Sequence, residues 1–161
     1  TSAEPEQTTA SPNAKFYHTV RWGKKRITYT IKNHPSTLSE RDTRAAISAT
    51  FAKFAAVIPL SFKEVISGGD ITFEFANVSA QGDPILGIYK HEYRYDNESL
   101  LYNDAHNYFS GTAQWTIMNE THLPVKTHYD LPTEAIRTIG VSLGLFLSAD
   151  NATCMYEKTR D

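Results

Sequence analysis

The sequence predicts an α+β domain, and three observations carry that reading. Apolar and polar residues alternate at Ile27, Tyr29 and Ile31, and again through Ile71-Thr-Phe-Glu-Phe75, which is the period of half-buried strands. Ile47, Phe51, Phe54, Ala55 and Ile58 recur at helical spacing between them. A second helical pattern opens at Pro132 and closes near Gly144. At 161 residues the chain has the length of one domain with a sizeable core.

In chain order, residues 1–14 are small, polar and proline-containing, with too little apolar surface to offset ordering entropy, and they are expected to form a flexible tail before a domain over 15–161. The strand at Ile27–Ile31 follows. Ser39-Glu-Arg-Asp42 then supplies a helix start, its acidic residue suited to the positive end of the helix, and Pro59 ends that helix. Leu60 to Val65 and Ile71 to Phe75 read as further strands on either side of the Gly68-Gly69 turn. Alternation from Tyr89 to Tyr95 predicts another strand with one aromatic face. Asp130 is placed to cap the last helix, with Pro132 in its first turn. Ala135, Ile136, Ile139, Gly140, Leu143 and Gly144 form its packing face.

Composition narrows function. A net charge of −2 gives no electrostatic footprint for nucleic acid or an anionic membrane, and no apolar run is long enough for a membrane span. Four sequons, at Asn77, Asn97, Asn119 and Asn151, point to a secreted, extracellular glycoprotein. Cys154 is the single cysteine, so it forms no intrachain disulfide; it is either buried beside Met155 or a point of intermolecular pairing. Tyr89, Tyr93, Tyr95, Tyr102 and Tyr108 make a tyrosine-rich stretch that reads in two ways: a partner-binding surface, or a layer packed on the sheet.

The order Trp22-x-Lys24, Ile27-Thr-Tyr-x-Ile31, Ala46-Ile47-x-x-x-Phe51, Val57-x-Pro-Leu-x-Phe62 and Gly68-x-Asp-Ile-x-Phe73, with the stretch Ser142-Leu-Gly-Leu-Phe146 and Met155-Tyr156 further on, resembles the matrixin branch of the metzincin zinc proteases. The resemblance runs from Trp22 to Tyr156, about five sixths of the chain. Phe54 stands where the family usually has a tryptophan. The resemblance implies a twisted, mostly parallel five-stranded sheet with two long helices packed on it and a short Met-turn segment at Met155. On the pattern H-E-x-x-H-x-x-G-x-x-H it places Arg137, Val141 and Leu147 at the zinc-ligand positions and Thr138 at the general-base position. Val141 and Leu147 have no lone pair to donate, a guanidinium repels a metal ion, and the Thr138 hydroxyl is far too weak a base.

The resemblance also bears on a structural zinc. Asp104-Ala-His106 matches one family ligand run, Gln81-Gly-Asp83 keeps the aspartate but not the histidine of another, and His91 lies upstream as a weak third candidate beside Asp83 and His106. The alternative is histidines that make hydrogen bonds without a metal. The acidic calcium-binding run of the family has no counterpart after His106, and His122 and His128, six apart around Pro124, lack the spacing to replace the lost ligands. Glu134, one turn before Arg137, is the nearest carboxylate to neutralise it. The expected function is therefore a non-enzymatic, cofactor-free pseudoenzyme that binds an extracellular protein such as a matrix component, a receptor or a protease inhibitor. The alternatives are a structural glycoprotein module, or a hydrolase using a displaced metal.

Overall fold

The computed structural model describes residues 20–78, 87–97, 99–118 and 127–145. The expected tail at 1–14, and with it Asp83, Leu147, Cys154, Met155, Asn119 and Asn151, lie outside these residues. The elements run β1 (Val20–Trp22), β2 (Arg26–Ile31), α1 (Glu40–Ala55), β3 (Ser61–Glu64), β4 (Ile71–Ala76), β5 (Gly87–Asp96), β6 (Ser99–Ser110), β7 (Trp115–Thr116), β8 (Tyr129–Asp130) and α2 (Leu131–Ser142).

The main sheet is mostly parallel. β3, β2, β4 and β6 lie side by side in parallel, and β5 closes the edge as the antiparallel arm of a hairpin with β6. This is the expected sheet, five strands wide, with one addition. The three residues of β1 pair with Leu100–Tyr102 of β6, while β4 pairs with Ala105–Ser110, so β1 and β4 lie end to end along one edge of β6. Among the described residues the sheet therefore has six strands rather than five.

Both helices cover the same face. Tyr29, Phe73 and Phe109 project from successive strands into a core that also takes in Ile27, Ile31, Ile71 and Phe75. From α1, Phe51 stacks on Tyr29 at 4.2 Å between ring centroids and meets Phe73 edge-on at 5.9 Å. Ser39 caps α1, its hydroxyl accepting from the Asp42 amide at 3.0 Å. Arg44 reaches from α1 to Glu64 of β3, tying the helix to the outer parallel strand. The buried stripe of α1 is Thr43, Ala46, Ile47, Thr50 and Phe51, with Phe54 half-buried. Ala55, expected on that stripe, is exposed, because the stripe turns toward the Thr43–Ala46–Thr50 side and the helix ends there.

The opposite face of the sheet is polar but not bare. Thr30 is buried because the 65–70 turn folds over it: its hydroxyl donates to the Val65 carbonyl and accepts from the Gly69 amide. Asp70 accepts from Lys24 Nζ, the Thr28 amide and the Thr28 hydroxyl. Burial alone would raise its carboxyl, but these donors hold it below its ordinary value. A second, two-stranded parallel sheet of β7 and β8 leads into α2. Its Trp115 is buried, with the indole N–H donating to the Ser110 carbonyl at 2.7 Å.

The corrected stripe is checked by urea unfolding. Phe51→Ala is expected to cost ~3–5 kcal/mol, whereas Ala55→Ser stays within about 0.5 kcal/mol of the parent with an unchanged denaturant slope.

Candidate functional site on the second helix

Helix α2 begins as its sequence dictates. The Asp130 carboxylate accepts from the Thr133 amide at 3.0 Å and the Thr133 hydroxyl at 2.6 Å, and Pro132 sits in the first turn, where it has no hydrogen bond to lose. The helix ends in a Schellman motif. The Leu145 amide donates to the Gly140 carbonyl and the Gly144 amide to the Val141 carbonyl, with Gly144 at a φ of 96°. Any side chain at Gly144 would also collide with β1, since a Cβ there would lie 2.4 Å from the Val20 carbonyl oxygen.

Within this helix Arg137 and Thr138 are buried and Val141 is half-buried. Arg137 donates from Nη1 to Glu134 Oε1 at 2.8 Å, and each side chain is 9% exposed. The carboxylate that the spacing offered to Arg137 is thus the one it uses. Arg137 Nε and Thr138 Oγ1 are buried without a hydrogen-bond partner among the described residues. Tyr89 of β5 lies against this group: burial raises its phenol, the neighbouring Thr138 hydroxyl acts against that, Glu134 adds to the rise and Arg137 opposes it. The Thr138 contact does not reach hydrogen-bond geometry. For Glu134, burial raises the carboxyl above its ordinary value, Arg137 pulls it back and Asp130 adds to the rise.

The other end of α2 rests on β5 and β6 through a buried polar cluster that the sequence did not announce. Asn107 Nδ2 donates to Ser142 Oγ at 2.9 Å, and His91 Nε2 lies 3.2 Å from Asn107 Oδ1 and 3.5 Å from Ser142 Oγ. Burial lowers the His91 imidazole, while Asn107 and Asp104 oppose the shift. Polar residues inside a strand and a helix read as surface when only the sequence is seen, so Asn107 and Ser142 gave no signal.

Register separates the weak zinc candidates. His91 pairs with Ala105 and His106 pairs with Lys90, so the two histidines project from opposite faces of the hairpin and cannot converge on one ion. His106 instead meets Asp104 Oδ2 at 2.9 Å. Among the described residues no group of three or more His, Cys, Asp or Glu could hold a metal.

The tyrosines separate as well. Tyr89, Tyr93 and Tyr95 share the α2-facing side of β5, half-buried, 48% exposed and 82% exposed in turn. Tyr102 belongs to the core and not to an exposed row. It stacks on Trp22 at 5.3 Å, and its hydroxyl donates to the Val141 carbonyl at 2.7 Å. Tyr108 pairs with Ile88 and faces the other side, under Lys90 Nζ at 5.5 Å from the ring centroid. Of the two described sequons, Asn97 is exposed at the hairpin tip and Asn77 is exposed just after β4.

A mostly parallel sheet, two helices on one face, an antiparallel edge strand and a helix closing on a glycine bend define a metzincin-type domain. The matrixin family profile matches residues 21–160, and the chain belongs to the matrixin family. It is similar to matrix metalloproteinase-C of Caenorhabditis elegans, with 32% identity over 88% of this chain and 25% of that protein. It is 30% identical to human matrix metalloproteinase-16 over 84% of this chain and 23% of that one. Human matrix metalloproteinase-19 matches at 45% over 62 residues, 38% of this chain and 12% of that protein. The chain spans about a quarter of the length of the first two relatives. The donor set on α2 does not fit the family's catalytic zinc: at the positions the motif assigns, Arg137 is a cation committed to Glu134 and Val141 carries no donor atom.

Two measurements test this site. Because the folded Glu134 keeps its proton to higher pH than the unfolded one, its contribution is most favourable below the unfolded value and declines as pH rises through the raised folded value. Arg137→Ala removes the lowering influence, so it is expected to cost ~3–5 kcal/mol at neutral pH and progressively less as acid protonates Glu134. A deficit that stays flat in urea melts across the carboxylate range would instead assign the cost to lost packing. Gly144→Ala is expected to lose ~2 kcal/mol or more by thermal unfolding, against about 1 kcal/mol for Gly68→Ala, whose positive φ faces open space.

Proposed function

We propose that this chain is a secreted, non-catalytic matrixin domain that binds an extended segment of an extracellular protein along the outer edge of β5. The observation that carries the reading is the buried Arg137–Glu134 pair, which occupies the helix where the family motif would place zinc ligands and general base. Hydrolysis of a peptide needs a metal-activated water and a carboxylate base, and the side chains at 137, 138 and 141 supply neither. The sheet that would present a substrate is intact. Among the described residues β5 pairs only with β6, so its outer backbone edge is open to strand addition, with Tyr93 and Tyr95 exposed beside it.

A matrix component, a receptor or a protease inhibitor fits such an edge. An inhibitor that engages its target through zinc does not, which favours recognition through the rim. The sequons support entry into the secretory pathway.

The test is metal content by elemental mass spectrometry on protein purified without chelator, with thermal unfolding in the presence and absence of chelator and a broad peptide-hydrolysis screen. The expected result is no stoichiometric zinc, superimposable melting curves and no cleavage. Stoichiometric zinc accompanied by hydrolysis would overturn the reading. The binding half is checked by capture from extracellular protein mixtures, where a partner held by the parent should be lost on Tyr93→Asp.

A further inference from the structure

The tip of the β5–β6 hairpin carries an unused aromatic ring next to a glycosylation sequon. Asp96 and Ser99 are the last paired residues, and Asn97 begins the turn at a φ of 43°, exposed and in the left-handed region that asparagine tolerates better than most residues. Two residues earlier, Tyr95 is 82% exposed. It makes no ring contact or hydrogen bond with any described residue, although a tyrosine brings a large apolar surface that normally finds a neighbour. Tyr93, its neighbour on the same face, is engaged with His91 and Tyr102.

The second described sequon supplies an internal comparison. Asn77 also follows an aromatic residue by two positions, but that residue is Phe75, which is 6% exposed and packed against Phe109 and Trp115. A sugar on Asn77 would find no ring at that spacing. A sugar on Asn97 would find one free.

We propose that Asn97 carries an N-linked glycan whose first N-acetylglucosamine lays its apolar C–H face on the Tyr95 ring, so that the hairpin tip is held by a sugar–aromatic contact. The chemistry suits both partners. An aromatic face is electron-rich and apolar, and the axial C–H groups on one side of a pyranose are electron-poor. Packing the two together removes water from both while the sugar hydroxyls stay solvated. The glycan would stand at the Asp96 end of β5 and leave the Gly87 end of that edge open. The inference rests on the reading that the chain enters the secretory pathway, and the experiment separates the two.

The full chain is secreted from mammalian cells behind an added signal peptide, so entry is supplied whatever the natural route. Site occupancy is read by peptide mapping after enzymatic deglycosylation in heavy-oxygen water. Thermal unfolding is then compared for the parent, Tyr95→Ala, Asn97→Gln and the double variant. Asn97 should be occupied, and Tyr95→Ala should lower the melting temperature by about 2–4 °C in the glycosylated protein but by less than about 0.5 °C in the Asn97→Gln background. Tyr95→Phe, which keeps the ring, should retain the parent melting temperature. An unoccupied Asn97, or a Tyr95→Ala effect of equal size in both backgrounds, would overturn the proposal. Neither outcome touches the non-catalytic reading, which stands or falls on metal content and hydrolysis.

Discussion

The docking of the last turn of α2 onto the sheet is the constraint on which the rest of the site depends. A helix leaves its final carbonyls without partners in the helix, and here that end is buried. Each carbonyl is met from a different place. The Ser142 carbonyl accepts the Trp22 indole N–H at 2.8 Å, the Val141 carbonyl accepts the Tyr102 hydroxyl at 2.7 Å, and the Gly140 carbonyl is closed by the Schellman turn. The Ser142 side chain joins Asn107 in the same place. Because Trp22 and Tyr102 come from paired positions on β1 and β6, the short β1 strand is there to deliver an indole to a helix end, and Gly144 must be a glycine to let Val20 approach.

This arrangement explains what holds the helix in position among the described residues. The helix α2 is held by buried hydrogen bonds at its C-terminal end and by apolar contacts of Leu131, Ala135 and Ile139, all fully buried. The Arg137–Glu134 pair contributes something different. A buried ion pair recovers little net stability once both groups have been taken out of water, and here Arg137 Nε and Thr138 Oγ1 find no partner among the described residues. The pair removes a net charge from the middle of the helix; it does not clamp the fold. Docking is therefore concentrated near Ser142, with the Arg137–Glu134 pair one to two turns before it on the same helix.

Much of this was legible in the sequence, for identifiable reasons. The strands at Ile27–Ile31 and Ile71–Phe75 are regular and flanked by turn residues, both helix caps use side chains that announce themselves, and Glu134 stands one turn from Arg137. The hidden features share a cause, which is that local pattern is overridden by pairing. β6 carries an extra residue, Asn103, between Tyr102 opposite Tyr93 and Asp104 opposite Glu92. That bulge lets Tyr102 and Ala105 both serve the core although they are three apart, and it destroys the alternation by which a strand is recognised. It also divides the tyrosine row, sending Tyr102 under α2 and leaving Tyr93 and Tyr95 outside. β1 is too short to carry a period. Trp115 went unread in the sequence, although its indole needs both a burial site and an acceptor, which it finds in the core and at Ser110.

Among the described residues the outer edge of β5 is unpaired, and its side chains restrain what could pair with it. An exposed edge invites pairing with any extended chain, and proteins restrain that with charges and bulges. Lys90, Glu92, Arg94 and Asp96 are all exposed and alternate in sign along one face, so the edge has no net charge yet presents a defined sequence of charges. The bulge between Glu92 and Tyr93 interrupts the flatness that indiscriminate pairing needs. If the proposed strand addition occurs, a partner strand would have to match a charge pattern on one face and Tyr93 on the other, within a register that the bulge limits. Backbone hydrogen bonds would supply affinity for almost any peptide, whereas these side chains penalise most of them by leaving like charges opposed or rings uncovered. On that proposal, selectivity would reside in the hairpin, which α2 supports from beneath.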